Sequence, residues 1–471
     1  MKCCKLAGLI VVGCVSLMPL AAAGSAASLK PLLDGKAIAA EARGLWRLPA
    51  YGMLIDLRDG VRVYNEAGGL CWPDPTYPDA AALAEQFPYF AKTATGALTF
   101  AASKDGTRYV STAVSTPPSA CTAALDRESP AFIFAALTAS LAEFYPFEKE
   151  HDVRWAERAK ALTPRLAGVT GDGTLAALLA DLFQGVADAH TSLSGTVDGK
   201  ALRLRTFRGD AFAGLQGIYA KQHKYTLFLD WIDAVWMPGE QAEAIKTLLP
   251  GTAHTALGNK MYWGRLPGNV GYLAVIGMGG YTAAGGMDTD RRRLSAALNR
   301  AFGDLRSSKA LVLDISHNFG GDDEISADIA ARFVDRVTPA YSKRAYKGDQ
   351  VQTFTTTPSA GAHYRHPVYL LTSVLTSSAA EVFTMRMREI PGVVQVGEAT
   401  QGIFSDATEK GLPNGWVLSM STEVYVDAEG RNHEGIGMVP SQAFPVVMPA
   451  VPHSYAAVIR QVGKLAADGT P

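Results

Sequence analysis

Beyond Gly268 the sequence predicts a layered α/β fold, and three observations carry that reading. Short apolar runs alternate with amphipathic ones: "NVGYLAVI" (269–276), "RRRLSAALNRAFGDL" (291–305), "ALVLDIS" (310–316) and "EISADIAARFVDR" (324–336). The alternation then repeats in "PVYLLTS" (367–373), "SAAEVFTMRMREI" (378–390) and "VVQVGE" (393–398), as strands joined by helical crossovers require. Turns rich in Gly, Ser and Asn fall where strands end and helices begin, the place where such folds keep their sites. "WVLSMSTEVYVD" (416–427) adds one or two strands.

Upstream the period changes. "AFIFAALTASLAEF" (131–144), "RWAERAKALTPRLAG" (154–168) and "TLAALLADLFQGVADA" (174–189) space apolar residues three and four apart, which predicts helices. Residues 192–267 are mixed: "YTLFLDWI" (225–232) reads as strand-like, and a helix is expected near 241–249. From about Gly44 to Thr112 the runs are short and alternating, with Asp59-Gly60 as a hairpin turn, so a small antiparallel β domain comes first. The expected organisation is a leader over 1–23, a β domain over 24–126, a helical and mixed segment over 127–267, the α/β domain over 268–449 and a tail over 450–471.

A chain of 471 residues is too long for one core, in keeping with several domains. Its net charge of -1, without a basic block, gives no footprint for nucleic acid. The N-terminus reads as an export leader: Lys2 and Lys5, the apolar "LAGLIVVG", then Ala21-Ala22-Ala23 as the cleavage site. "VVGC" offers Cys14 as an alternative lipidation site, and no later stretch is apolar enough to span a bilayer. Without the leader two cysteines remain, Cys71 and Cys121. They are expected to pair in an oxidising compartment, periplasmic or extracellular. Neither has a neighbour at metal-ligand spacing, and no feature calls for a metal or an organic cofactor.

Four stretches can carry chemistry. "LDISHNFGGDD" (313–323) ends a strand in Gly320-Gly321, whose free backbone can present N–H groups to an oxyanion; the same residues also make a plain turn. "TSSAAEVF" (376–383) places Ser378 at a helix start, where a nucleophile gains from the helix dipole. Ser378 and Glu381 are equally a capping box. "VADAHTSLSG" (186–195) offers His190 as a general base, although His317 and His433 also lie inside these stretches. "DAEGRNHEGIGMVPS" (427–441) carries Glu434, a carboxylate able to orient a histidine or a plain surface residue.

In order and spacing these stretches resemble the C-terminal-processing, or tail-specific, serine peptidase family. The matching pieces are Asp314 to Gly321, Ser378 to Glu381, "GEATQG" (397–402) and Glu434 to Pro440, with "EFYPFEKEHDVRW" (143–155) and "FQGVADAHTSL" (183–193) ahead of them. The resemblance covers about Ala131 to Pro445. It implies a crotonase-like core and a nucleophile at Ser378. The bacterial members' lysine base would fall at Ile403, and the nearest downstream lysine is Lys410, so the chain resembles the histidine-using branch typified by tricorn protease. On that likeness His190 activates Ser378, Glu434 orients His190, and amides at Gly320 or Gly321 and at Ala379 stabilise the oxyanion. Two features depart from the pattern: Ala189 stands where the tricorn type has serine, and no PDZ module is recognisable over 191–267. The expectation is an exported serine peptidase acting on peptides or proteins. The alternatives are a binding protein for an apolar ligand or peptide, as in the family's retinoid-binding relatives, or an esterase.

Overall fold

The computed structural model describes residues 28–469 except 95, 206–208, 222–226, 283–285 and 452; the leader, its cleavage site and Cys14 lie outside the described residues. Strands β1 (Leu45–Leu48), β2 (Met53–Asp56), β3 (Arg62–Ala67) and β4 (Leu70–Pro73) form an antiparallel meander. Asp59-Gly60 turns the chain between β2 and β3, where Asp56 pairs with Arg62 and Gly60 takes φ 108°. A second sheet holds β5 (Tyr89–Lys92), β6 (Leu98–Ala101) and β7 (Arg108–Val110). Trp46, Ile55, Val63, Phe90 and Phe100 alternate inward from both sheets to make their common core. Cys71 on β4 is disulfide-bonded to Cys121, which fastens the exit of this domain to its edge strand.

Helices α1 (Pro130–Phe144), α2 (Trp155–Leu162) and α3 (Asp172–Phe183) follow. Their apolar faces bury Trp155, Leu179 and Phe183 together with Trp416 and Leu418 from much later in the chain. Next come β8 (Ser192–Val197) and β9 (Lys200–Leu204). The described part of the stretch expected to be strand-like is helical instead: Phe228–Trp231 runs through a π turn into α4 (Met237–Thr247), while 225 and 226 lie outside the described residues. Aromatic content suggested a strand, but Phe228, Trp231 and Ile232 recur at helical spacing, and the last two are buried against the sheet described next.

Among the described residues that sheet has seven strands, one of its edges being a short strand at Gln442–Ala443. A short strand at His254–Ala256 precedes β10 (Met261–Leu266) and β11 (Val270–Val275), which pair antiparallel. After α5 (Gly286–Leu305) comes β12 (Ala310–Asp314), parallel to β11, and then α6 (Asp323–Ala330). A three-stranded layer interposes β13 (Thr338–Ala345) and β14 (Gln352–Thr356), with β14 at its edge. The main sheet resumes at β15 (Val368–Thr372) and, after α7 (Ala379–Arg388), β16 (Val393–Gly397), both parallel to their neighbours. Strand β17 (Ala407–Gly411) and β18 (Val417–Ser421) join β8 and β9, while β19 (Glu423–Asp427) joins β13.

The α/β domain therefore begins before Gly268, because β10 is already one of its strands. The expected tail is also part of it: α8 (Ser454–Asp468) buries Tyr455, Val458, Ile459 and Val462 on one face of the sheet. Helices α5, α6 and α7 cover the other face. On β12, Leu311 and Leu313 face one layer and Val312 the other, which is why the strand is apolar without alternation. Among the described residues no helix is long and apolar enough to cross a membrane.

Candidate active site

Two loops at the C-terminal ends of neighbouring strands build one half of the site. After β12, the fully buried Asn318 spends both ends of its amide: Nδ2 donates to the Val275 carbonyl at 2.9 Å and Oδ1 accepts the Gly320 N–H at 2.8 Å. Gly320 (φ 97°) has room for no side chain; a Cβ there would lie 2.6 Å from Ser378 Cβ. Gly321 (φ 133°) bridges Met278, and a Cβ would lie 2.2 Å from the Met278 carbonyl oxygen. Both glycines are thus required by close backbone approach.

After β15, Thr376 Oγ1 donates to the Ile315 carbonyl at 2.9 Å and the Ser377 N–H to the Asn318 carbonyl at 3.1 Å, tying this loop to the first. Ser378 then opens α7 at φ 58°, ψ -128°, a conformation a non-glycine residue holds only at a cost. Half of the expected capping box is present: Glu381 Oε2 accepts the Ser378 N–H at 3.2 Å. Ser378 Oγ has no hydrogen-bond partner among the described residues, so it is not spent on capping. The main-chain N–H groups of Gly321 and Ala379 likewise make no hydrogen bond among the described residues.

Glu381 holds the next loop. Its buried carboxylate accepts Thr400 Oγ1 and the N–H groups of Gly402 and Ile403, at 2.6, 2.6 and 2.8 Å. Burial pushes this carboxyl up to about 8, against donors that favour the charged form. Glutamate at this position is therefore a strut between the serine turn and residues 400–403.

The histidine half is assembled differently. Asp188, fully buried, accepts the His190 N–H at 2.8 Å and the hydroxyls of Thr191 and Ser421 at 2.7 and 2.9 Å. Ser419 Oγ donates to the His190 carbonyl at 2.9 Å, so β8 and β18 together fix the histidine backbone. Burial lowers the His190 pKa below its ordinary value; the Asp188 carboxylate opposes that shift and Arg205 adds to it. The ring lies beside the Ser405 carbonyl, in the loop that Glu381 anchors at Ile403. Among the described residues no hydrogen bond joins His190 to Ser378.

Glu434 corrects an expectation, since its carboxylate does not pair with His190. Oε1 lies 3.3 Å from His151 Nε2 and Oε2 accepts the Phe404 N–H at 2.9 Å. Burial pushes Glu434 up to about 7, partly offset by His151. His151, in the turn between α1 and α2, is the residue that sequence reasoning passed over; its ring also bears on Asp188, which links the two histidines through one carboxylate. The other histidines are engaged elsewhere. His317 stacks on Trp236 and is pushed down to about 3 by burial, and His433 lies 2.8 Å from Asp427.

Residues 269–443 match the family model described as Peptidase family S41. Over that stretch the chain is similar to the serine peptidases of that family. Its fold is similar to the crystal structure of a putative peptidase from Parabacteroides merdae ATCC 43184, at 22% identity and TM-score 0.55 over 72% of this chain and 96% of that one. It is also similar to mature CPAF, alone (14% identity, TM-score 0.51, 72% of this chain and 97% of that one) and complexed with lactacystin (12%, 0.52, 71% and 98%). At these identities the likeness is one of fold.

Ser378 opens onto a cavity of about 780 Å³ between the α/β domain and the N-terminal β domain. Two lysines merit inspection as bases. Lys410 Nζ donates to the Tyr51 and Gly52 carbonyls at 2.7 and 2.9 Å, so it secures the N-terminal domain. Lys343 lines the cavity, but Asp406, Glu423 and Asp323 outweigh its burial and hold it well above its ordinary pKa. A lysine kept protonated in that way cannot take a proton from serine. Alternation along β13 turns Tyr341, Lys343 and Ala345 inward together, a pattern visible in "YSKRA".

Proposed function

We propose that this chain cleaves peptide bonds through an acyl-enzyme on Ser378, with His190 as base and the amides of Gly321 and Ala379 as oxyanion hole. The observation that supports this most directly is the Ser378 turn, where an uncommitted Oγ in a strained backbone position sits beside two unspent N–H groups. His190, its pKa lowered by burial, is neutral near pH 7 and able to accept the Oγ proton. Oγ then bonds to the scissile carbonyl carbon, and the negative charge moves to the oxygen between the two amides. His190 returns the proton to the leaving amine, and water repeats the sequence to release the acid. Substrate binding brings the ring to Oγ, since catalytic hydrogen bonds commonly tighten only in the complex. Glu434 acts through His151, bracing Asp188 and the Phe404–Asp406 loop.

In this reading the core is crotonase-like and the chain sides with the histidine-using branch. The leader pattern and the Cys71–Cys121 bridge support an exported protein. The test is labelling with a fluorophosphonate probe. Wild type should react, while Ser378→Ala and His190→Ala should not. Equal labelling of the Ser378→Ala protein would remove Ser378 from the mechanism.

A further inference from the structure

The cavity at Ser378 has a lopsided charge balance. Four cations line it, and each is committed. Arg291 pairs with Asp328 at 2.7 Å and Asp105 at 3.0 Å, and Lys343 with Asp406 at 2.5 Å and Glu423 at 3.0 Å. Arg108 donates to the Ser103, Lys104 and Gly106 carbonyls, and Arg386 to the Thr355 carbonyl. Asp322 and Glu324, also in the lining, make no ion pair among the described residues. The first directly follows Gly321, whose amide belongs to the proposed oxyanion hole. The second accepts, among the described residues, only the Ser103 hydroxyl, at 2.5 Å, from the N-terminal domain loop that closes the cavity. Burial and the Glu324 and Asp290 charges push Asp322 up to about 6 even with the Lys260 ammonium acting the other way, so a further cation would still be welcome there.

The opposite wall is β14, the edge of its sheet. Among the described residues its main chain pairs only with β13, apart from the Thr355 carbonyl held by Arg386. Because β14, Asp322, Glu324 and Ser378 line the same cavity, an extended chain added along β14 would pass Ser378 with a side chain toward the ledge.

We infer that the cavity selects peptides carrying a lysine or arginine beside the cleaved bond, with Asp322 and Glu324 as the residues that receive it. This rests on the peptidase reading and adds the substrate class. Lys260 and Arg108 act on these carboxylates only at a distance, without a close ion pair among the described residues, so the ledge still attracts a cation and repels an acidic side chain.

The experiment uses matched peptides with lysine or uncharged norleucine at each position flanking one bond. Wild type should cleave a lysine peptide at least tenfold better in kcat/KM, and Asp322→Asn with Glu324→Gln should bring that ratio within twofold of unity. Asp322→Lys should invert the preference toward a glutamate peptide, a gain that misfolding cannot mimic. A wild-type ratio near one, or a ratio that survives the double substitution, overturns the inference. Binding of the same peptides to Ser378→Ala by fluorescence anisotropy decides the matter even if no peptide is cleaved. In that case absent cleavage counts against the peptidase chemistry, and only equal binding of lysine and norleucine peptides counts against the ledge.

Discussion

Ser378 and the Asn318–Gly321 strip sit on adjacent loops of one sheet, whereas His190, His151 and Glu434 come from three segments far apart in the chain. The first half is locally over-determined. Asn318 fixes Gly320, Gly320 admits Ser378, and Glu381 holds the Ser378 N–H, all across two neighbouring strand ends. The second half depends on the packing of the α1–α3 helices against β18, with Asp188 as the shared carboxylate. The serine half should therefore fail sharply when altered, and the histidine half by degrees.

The largest effect belongs to Ser378→Ala, expected to lower kcat/KM by about 10⁴–10⁶ while leaving the circular dichroism spectrum and thermal midpoint nearly unchanged. A loss below about tenfold would detach the serine turn from catalysis. Gly320→Ala breaks the same half from the other side. Its Cβ would lie 2.7 Å from the Ser377 carbonyl oxygen as well as against Ser378, at φ 97°. Activity should collapse with it, and stability should fall by about 1–3 kcal/mol in chemical denaturation.

The next test separates the two histidines. His190→Ala should cost about 10²–10⁴ in kcat, the usual worth of a general base, and His151→Ala no more than about tenfold. If the order reverses, His151 takes the base role. The pH profile adds a second reading. Burial lowers the His190 pKa and Asp188 partly restores it, so the acid limb of kcat/KM should lie below the ordinary histidine value. Asp188→Asn removes the restoring charge and should move the limb to still lower pH; an upward shift would show that another group titrates.

The disulfide offers a smaller effect, confined to stability. Cys71 and Cys121 are 50 residues apart and fasten the N-terminal domain, so replacing both by serine should cost about 2–4 kcal/mol. Since that domain also walls the catalytic cavity, KM should rise more than kcat falls.

The same contrast explains what could be read from the sequence. The serine half was legible because each part is a short motif with a local cause: paired glycines for backbone approach, Ser-x-x-Glu for a helix start. The strands of the α/β sheet were legible from unbroken apolar runs such as "ALVLDIS". His151 was not, because a lone histidine after "YPFEKE" has no periodicity or spacing to distinguish it; only the tertiary fold brings it to Glu434. The partner assigned to Glu434 failed for that reason. The helix at Phe228–Trp231 was hidden by residues that favour strands, and the tail at 450–471 by its distance from any motif, although its spacing of Tyr455, Val458, Ile459 and Val462 is helical.

The smallest expected change is a slope, and it probes the strut that joins the halves. Glu381 is fully buried and its carboxyl is pushed up to about 8 by burial, against an ordinary value of 4.5. A carboxyl whose pKa is raised by folding contributes stability below its unfolded pKa and loses that contribution as pH rises through the folded one. Unfolding free energy should therefore decline between about pH 4.5 and 8, with Glu434 and Asp323, each pushed up to about 7, acting in the same sense. Glu381→Gln cannot titrate, so it should flatten this decline without abolishing it, because the other two carboxyls remain. It should also be less stable than wild type at either end. The glutamine amide would turn a donor toward N–H groups of Gly402, Ile403 or Ser378 that now find an acceptor. Urea titrations at pH 5 and pH 8 read both quantities. An unchanged slope in the variant would mean that Glu381 stays ionised through the whole range, held by its four donors against the cost of burial.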